Sequence, residues 1–413
     1  MIMNNARRLA VLVLLVFAAS AHAAGTAAPQ GALVIVGGAL RLDNAPVWSR
    51  IVQLAGGKGA RIAIFASAAG HPERAGPTNA DRLKSYGADA FVVPVAVKLP
   101  GSNYAAAADD PAIAAAVRAA GGAFFTGGDQ GLITRALRRP DGSNTLVLDA
   151  LWDMYRRGGV IAGTSAGAAI MSSTMFYDAK SVLTTLKLGV NDGVEMAPGL
   201  GFLGNDIFVD QHLLIRGRFA RMLPLMLKKG YKTGLGIDEN SAMVITAGSE
   251  LEVIGYKGAI LLDLRGASSV PGPFNVSNAR ISYLDHGDRY QIASGLILPS
   301  SDKTDGKVDP AHPSFQGRLF SADILGNTTV TDLMMKLIDS DQAEAIGLAM
   351  GHALDPQPEL GFEFKFSRAS DSTGFESATS EAYSVYRLRL DVRPVRLHQP
   401  LYGALRDSAA AAH

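Results

Sequence analysis

The alternation of short apolar runs with helical patterns between residues 32 and 162 limits the fold of this chain most strongly. Strands that are apolar throughout and separated by helices are typical of a parallel sheet covered on both faces. The predicted strands are 32–36, 61–66, 90–97, 123–125 and 159–162, and the predicted helices are 47–54, 80–86, 111–120 and 146–157. This part of the sequence therefore predicts an α/β domain, with its binding site at the carboxyl ends of the strands.

The composition excludes several functional classes. Hydrophobic residues make up 48% of the chain and charged residues 19%, which is the balance of a folded protein. A net charge of +1 gives no general attraction to nucleic acid or to an anionic membrane surface. The chain has no cysteine, which excludes disulfides, thiolate metal sites and a cysteine nucleophile. No histidine cluster has metal-ligand spacing, so we expect neither a metal nor a cofactor.

The first 23 residues are predicted to be a signal peptide. Arg7 and Arg8 precede an apolar run over 9–19, and small residues occupy the cleavage positions up to Ala23. The apolar run is about half the length of a bilayer-spanning helix, which needs about 20 residues, so we expect no membrane span. The sequence thus predicts a secreted or periplasmic protein.

Beyond residue 230 the pattern changes to shorter strands. Strand-like runs at 233–238, 242–246, 251–256 and 259–264 predict antiparallel additions to the sheet. A stretch rich in Ser, Asp, Gly and Pro follows over 266–313, then a predicted helix over 331–349 and strands near 362–366 and 383–395. We therefore expect an α/β domain over 28–265 and a mostly-β extension of unknown role over 266–413.

A Gly-x-Ser-x-Gly pattern, Gly163 to Gly167, lies between an apolar strand and a small-residue helix. In this context the pattern is typical of a nucleophile elbow, in which a sharp turn exposes the serine hydroxyl. The helix that begins after the turn offers backbone N–H groups to a developing oxyanion. Ser165 is therefore the candidate nucleophile.

A serine nucleophile needs a base and an acid that orients the base. Among the eight histidines, His212 has the most suitable context because it ends an apolar run and follows Asp210. The acid is Glu239, which follows the predicted strand at 233–238, with Asp238 and Asp178 as alternatives. A triad is defined by its geometry, so the chain order Ser, His, acid does not argue against it.

Four segments in order resemble the motifs of the cyanophycinases, serine exopeptidases related to dipeptidase E. The segments are Phe125-Thr-Gly-Gly-Asp-Gln130, Gly163-Thr-Ser-Ala-Gly-Ala168, Asp210-Gln-His-Leu-Leu-Ile-Arg-Gly-Arg-Phe-Ala-Arg221 and Gly236-Ile-Asp-Glu239. The resemblance covers about residues 31–260. It implies a flavodoxin-like fold related to class I glutamine amidotransferases. The implied substrate is cyanophycin, polyaspartate with arginine on each β-carboxyl, and the implied product is β-aspartyl-arginine.

The resemblance and the chemistry together suggest the remaining site residues. The cyanophycinase pattern points to Glu239 as the acid, whereas the dipeptidases take an acid soon after the serine, where Asp178 is nearest. The backbone N–H groups of Gly128 and Ala166 would bind the oxyanion. The substrate carboxylate and guanidinium would be bound by side chains able to form paired hydrogen bonds, namely Gln130, Asp210, Gln211, Arg216, Arg218 and Arg221. On a helix Arg218 and Arg221 share a face, so Arg216 would reach them from a preceding turn.

Two other functions remain open at this stage. A related secreted dipeptidase acting on aspartyl dipeptides would keep Ser165 and His212 without needing all three arginines. A binding protein of the same fold would need no serine. The sequence leaves the oligomeric state open, a homodimer included, and gives no reason to expect a nucleic-acid partner.

Overall fold

The computed structural model describes residues 30–401 except 248, 353 and 399. The signal peptide predicted over 1–23 lies outside the described residues. Within the described residues, no helix combines the length and the apolar character that a membrane crossing requires.

The first half of the described chain builds the predicted parallel sheet. Its strands and helices are β1 (Ala32–Val36), α1 (Ala45–Leu54), β2 (Arg61–Phe65), α2 (Pro72–Ser85), β3 (Asp89–Val92), α3 (Tyr104–Ala108), α4 (Pro111–Arg118), β4 (Gly122–Phe125), α5 (Gln130–Leu137), α6 (Leu146–Arg156) and β5 (Val160–Thr164). The parallel strands lie in the order β1-β5-β4-β2-β3. The prediction of a mixed α/β fold with a parallel sheet is confirmed.

Burial on both faces explains why these strands are apolar throughout. Leu33 and Ile35 of β1 pack into the core on one face of the sheet. Val34 and Val36 pack into the core on the other face, against α1 and its neighbours. Because side chains alternate between faces along a strand, helices on both faces leave no position for a polar residue.

The second half of the described chain builds another sheet and extends the first. Its elements are α7 (Ala166–Ala169), β6 (Thr174–Phe176), α8 (Val182–Leu188), β7 (Met196–Pro198), β8 (Ile207–Gln211), α9 (Phe219–Lys229), β9 (Thr233–Ile237), β10 (Ser241–Thr246), β11 (Glu250–Gly255), β12 (Ala259–Asp263), β13 (Val276–Leu284), β14 (Arg289–Gln291), β15 (Leu296–Leu298), β16 (Leu319–Ser321), α10 (Thr329–Ile338), β17 (Glu344–Ala349), β18 (Leu360–Ser367), β19 (Thr373–Glu376) and β20 (Tyr383–Arg396). The antiparallel strands β10, β11, β14 and β15 continue the first sheet beyond β1, and the second sheet has the order β16-β17-β18-β20-β13-β12-β9-β8.

Strand pairing runs across residue 265 in both sheets. In the second sheet β12 pairs with β13, and in the first sheet β11 pairs with β14. Residues after 265 therefore complete sheets that the preceding residues begin. The change in composition at 266 marks long exposed turns, such as the one between β12 and β13, and not a break between sheets.

Three predicted elements differ from the structure. The helix predicted over 80–86 begins at Pro72 and ends at Ser85. The helix predicted over 331–349 ends at Ile338, and Glu344–Ala349 forms β17 with alternately exposed and buried residues. The strand predicted over 90–97 ends at Val92, two residues before Pro94, which has no N–H for a sheet hydrogen bond. At 331–349 the tertiary packing overrode an apolar pattern that fits either a helix or a strand.

A buried ion pair lies in the last third of the chain. The ammonium of Lys303 lies 2.7 Å from Asp288 Oδ1 and donates to Ser384 Oγ at 2.8 Å, and both charged side chains are fully buried. Asp288 also accepts backbone N–H groups from Asp285 and Ser300. A carboxylate in this position is costly unless its cation is present.

We expect Lys303→Met to lower the free energy of unfolding by about 3 to 5 kcal/mol, because it leaves Asp288 buried without its counter-charge. Urea unfolding measures the change. The matched control is Lys336→Met at an exposed position of α10, which should change stability by less than about 0.5 kcal/mol. If Lys303→Met lowered the free energy of unfolding by less than about 1 kcal/mol, the ion pair would not be important for stability.

Candidate active site

The candidate site lies where the carboxyl ends of five strands meet. β1, β4 and β5 are parallel in the first sheet, and β8 and β9 are parallel in the second. The link from β9 to β10, residues 238–240, joins the two sheets. Ser165 follows β5, His212 follows β8 and Glu239 lies in the link, so the fold brings the three predicted catalytic side chains to one edge.

Ser165 occupies the strained turn that its motif predicted. Its φ is 54° and its ψ is −107°, a conformation that non-glycine residues rarely adopt. A Cβ on Gly163 would lie 2.3 Å from the carbonyl oxygen of Gly167, and a Cβ on Gly167 would lie 2.5 Å from that of Phe125. The two glycines therefore allow β5 and α7 to approach closely enough to form the turn.

The side chains of Ser165, His212 and Glu239 form a continuous hydrogen-bonded chain. Ser165 Oγ lies 2.8 Å from His212 Nε2, and His212 Nδ1 lies 2.5 Å from Glu239 Oε1. The carboxylate accepts the Nδ1 proton, which leaves Nε2 free to accept the serine proton. This is the geometry of a nucleophile, its base and an orienting acid.

The two alternative acids lie elsewhere. Asp238 is fully buried, accepts the backbone N–H groups of Leu214 and Ile215, and pairs with Lys257 at 2.8 Å. Asp178 is exposed. Within the described residues Glu239 is thus the carboxylate that contacts His212, while Asp238 fixes the backbone that follows it.

The end of β1 aligns the three elements through consecutive backbone carbonyls. Val36 accepts the N–H of Ser165 at 3.0 Å, and Gly37 accepts the N–H of His212 at 2.8 Å. Gly38 accepts the N–H of Asn240, the residue after Glu239, at 2.8 Å. The tripeptide therefore sets the spacing of Ser165, His212 and Glu239 without contributing a side chain. Gly37 and Gly38 are not among the residues predicted from the sequence, because a backbone contact leaves no side-chain signal.

We expect Gly38→Ala to lower kcat by about 100-fold or more while the protein still folds. The φ of Gly38 is +115°, and a Cβ there would lie 2.2 Å from His212 Cε1, so the imidazole must move. A displacement of about 1 Å at a catalytic group is enough for such a loss. Steady-state kinetics measures the effect. Gly57→Ala is the control, since Gly57 also has positive φ but no atom within 4 Å of its added Cβ. Equal losses in both variants would contradict the alignment role.

The predicted oxyanion groups adjoin the serine. Ala166 is the first residue of α7, and the Gly127–Gly128 turn follows β4. A Cβ on Gly127 would lie 3.2 Å from the Cβ of Ser165, which places this turn against the serine. Backbone N–H groups at these two positions are suited to stabilise negative charge near Ser165.

A cavity of about 280 Å³ opens above Ser165 and His212. Its lining includes most of the predicted substrate-binding residues, namely Gln130, Gln211, Arg216, Arg218 and Arg221, together with Gly128. Arg218 donates to the backbone carbonyl and to Oε1 of Gln211 at 2.9 and 3.0 Å. Burial lowers the pKa of Arg218 to about 10, which still leaves it charged at neutral pH.

Arg221 and Asp210 pair with each other. Arg221 donates from Nε and Nη2 to both carboxylate oxygens of Asp210, at 2.6 and 2.8 Å, and both side chains are buried. The guanidinium also lies over the Phe176 ring, 4.1 Å from its centroid. The two groups satisfy each other, so they support the cavity wall more than they offer free charge to a ligand.

The observed positions of the arginines differ from those predicted from the sequence. The helix α9 begins at Phe219, so Arg216 and Arg218 both lie in the preceding turn and only Arg221 lies on the helix. Arg216 is exposed and has no ion pair among the described residues. The backbone N–H groups of Leu214 and Ile215 donate to Asp238, a tertiary contact that helical periodicity cannot reveal.

The surroundings of His212 disfavour its charged form. Burial lowers the pKa of His212 below its ordinary value of 6.5, and the charges of Arg216 and Arg218 lower it further, against the opposing bond from Glu239. The imidazole therefore stays neutral, and competent as a base, at mildly acidic pH.

We expect the acid limb of the kcat/KM profile to have its midpoint below pH 6.5, since this limb reports the free enzyme's base. Arg216→Met removes a positive charge that opposes the imidazolium, so the midpoint should move to higher pH. Arg157→Met, which removes an exposed arginine at the opposite end of β5, should leave the midpoint unchanged. A midpoint unmoved by Arg216→Met would contradict the electrostatic coupling.

Two aromatic residues of the lining were missed by the sequence analysis. Phe176 ends β6 and stacks on Arg221, and Tyr177 follows it with 47% of its surface exposed. Neither belongs to a motif that marks chemistry. In the described part of the chain, no group of three or more His, Asp and Glu residues is placed to hold a metal ion.

Comparisons with known proteins find similarity to peptidases. Residues 104–254 match the model of peptidase family S51. A cyanophycinase from Synechococcus elongatus is 28% identical over 288 residues, which cover 65% of this chain and 83% of that protein. A cyanophycinase from Geminocystis herdmanii is 29% identical over 271 residues, 63% of this chain and 93% of that protein. A crystal structure of a peptidase from an acI-B1 actinobacterium has a TM-score of 0.47 and 19% identity, covering 65% of this chain and 99% of that one.

Proposed function

We propose that this serine-type, cyanophycinase-like peptidase hydrolyses cyanophycin and releases β-aspartyl-arginine dipeptides. The observation that carries the proposal is the Ser165–His212–Glu239 chain beneath a cavity lined by Arg216, Arg218 and amide side chains. A dipeptidase-like or non-catalytic protein would not need this combination. The similarity to the cyanophycinases supports the same substrate.

The mechanism uses the hydrogen-bonded chain in two steps. His212 Nε2 takes the proton of Ser165 as the hydroxyl oxygen attacks the backbone carbonyl of an aspartate unit. The N–H groups of Ala166 and Gly128 stabilise the oxyanion, and the imidazolium returns its proton to the leaving amine. Water, deprotonated by His212, then hydrolyses the acyl-enzyme. Glu239 holds the imidazole tautomer and stabilises its charge throughout.

The cavity would recognise the substrate side chain through charge and hydrogen bonds. Each unit carries a carboxylate and a guanidinium on one arginine. Arg216 is exposed and free for a paired bond to the carboxylate, and Arg218 adds a second charge at the cavity wall. The Gln130 and Gln211 side chains offer oxygen acceptors to the guanidinium. Asp210 and Arg221, which neutralise each other, hold the wall in place.

Two finer assignments belong to the proposal. The order β3-β2-β4-β5 repeats the 2-1-3-4 portion of the flavodoxin-like strand order, and β1 takes the place of its fifth strand, which supports a flavodoxin-like classification. The Arg7-Arg8 pair and the apolar run before Ala23 support export and cleavage, giving a secreted or periplasmic enzyme.

The test compares three substrates with the purified protein. We expect a suspension of insoluble cyanophycin to clear, plain polyaspartate to be a poor substrate, and α-aspartyl dipeptides to be cleaved at a small fraction of the rate. Preference for the α-aspartyl dipeptides would instead identify a dipeptidase. Binding of cyanophycin without clearing would identify a binding protein.

A further inference from the structure

A second cavity of about 790 Å³ adjoins the catalytic cavity across Tyr177. Tyr177 lines both cavities, and its ring lies on the backbone of Gly131, where an added Cβ would be 2.3 Å from Tyr177 Cε2. Gln130 lines the catalytic cavity and the next residue, Gly131, lines the second. The two cavities are therefore neighbours separated by a single aromatic side chain.

The helix α5 runs from one cavity into the other. It begins at Gln130 in the catalytic cavity, and its residues Gly131, Thr134 and Arg135 line the second cavity, with Arg138 just beyond its end. Residues three or four apart lie on one helix face, so these positions form a continuous strip. A ligand that extends from the catalytic cavity along this strip enters the second cavity.

The second cavity carries uncompensated positive charge. Arg139 is paired with Asp109, with Nη2 to Oδ1 at 2.6 Å, so these two charges cancel. Arg135 is exposed, and among the described residues neither it nor Arg138 has a carboxylate within ion-pair distance. Two guanidinium groups thus remain to attract an anionic ligand.

The rest of the lining suits an aliphatic chain that ends in a cation. Tyr104 and Tyr177 offer aromatic faces, and alanine, proline, glycine and two threonine residues line the remainder. Guanidinium groups stack favourably on such faces. The volume lies within the range of about 300 to 1,000 Å³ that small-molecule sites occupy.

We infer that the second cavity binds a further unit of the substrate chain, beyond the two units that flank the scissile bond. The inference rests on the proposed function, whose substrate repeats a carboxylate, an aliphatic chain and a guanidinium in every unit. Arg135 binds the carboxylate of the additional unit, and the tyrosine faces receive its guanidinium. The enzyme consequently favours longer chains over the shortest cleavable one.

Synthetic chains of two and four β-aspartyl-arginine units test the inference. We expect wild-type kcat/KM to be about tenfold higher on four units than on two, and Arg135→Met to lower the four-unit value about fivefold while leaving the two-unit value unchanged. Arg135→Lys should recover part of the loss, because it restores the charge without the planar fork. The exposed-arginine control Arg157→Met should change neither value.

Equal kcat/KM on both lengths in the wild type would overturn the inference and leave the proposed function intact. A loss in Arg135→Met that is the same on both lengths would also overturn it, since the arginine would then act on the catalytic cavity or on the fold. Hydrolysis of neither chain would instead overturn the proposed function, and the inference with it. Thermal unfolding of each variant shows whether Arg135→Met remains folded.

Discussion

Replacing Ser165 with alanine should lower kcat on cyanophycin by about 10⁴-fold or more while the protein keeps its fold and its affinity for the polymer. The variant loses the atom that forms the acyl-enzyme, and only the oxyanion groups and substrate positioning remain. A serine-directed phosphonate should label the wild type at Ser165 and should not label the variant.

The control for this result is Ser173→Ala. Ser173 lies eight residues further along the chain, and its hydroxyl is hydrogen-bonded at 2.7 Å to the hydroxyl of Tyr231, which is not a general base at neutral pH. This variant should keep both activity and labelling at Ser165. Activity of Ser165→Ala above about a thousandth of the wild-type value would contradict the assignment of the nucleophile.

The second large effect concerns the acid. Glu239→Gln keeps the size of the side chain but replaces the carboxylate that accepts the Nδ1 proton of His212. We expect kcat to fall by about 10³- to 10⁴-fold with little change in KM, because the imidazole is held in the wrong tautomer and its charge is no longer stabilised. Steady-state assays on cyanophycin measure kcat and KM.

Two carboxylate variants serve as comparisons. Asp178→Asn changes an exposed side chain and should have little effect. Asp238→Asn should lower stability, since Asp238 is buried and pairs with Lys257. A large loss of kcat in Asp178→Asn together with normal turnover in Glu239→Gln would establish the alternative acid.

The sequence favours Ser165 as the nucleophile and His212 as the base because each follows an apolar strand in a recognisable context. It favours Glu239 as the acid but leaves Asp238, the adjacent residue at the same strand end, as an alternative. Side chains alternate along an extended chain, so neighbouring residues face opposite sides and only the tertiary structure shows which side holds His212. In the structure Glu239 faces the imidazole and Asp238 faces the turn at 214–215.

Sequence patterns could not predict the turn that contains Arg216 and Arg218. Gly217 has a φ of 57°, and an added Cβ would lie 2.4 Å from the carbonyl oxygen of Leu325. The segment around Leu325 comes from the C-terminal part of the chain, more than 100 residues away. Helical periodicity placed Arg218 on a helix because it considers only local neighbours, whereas this turn is shaped by a distant segment.

The same contact brings Leu325, from the C-terminal part of the chain, next to the candidate site. Leu325 lines a cavity of about 350 Å³ together with Arg216 and Arg218, next to the catalytic cavity. The composition of residues 266–313 predicted loops and turns, and much of this segment has that form. The pairing of β13 with β12 and β20 could not be read from it, since sheet partners far apart in sequence leave no local pattern.

The mass of the soluble product that the purified enzyme releases from cyanophycin tests the central claim most directly. Hydrolysis of the backbone by the Ser165–His212–Glu239 chain predicts β-aspartyl-arginine as the product, absent when Ser165→Ala replaces the wild type. Release of free arginine with polyaspartate left behind, or no soluble product, would contradict the account.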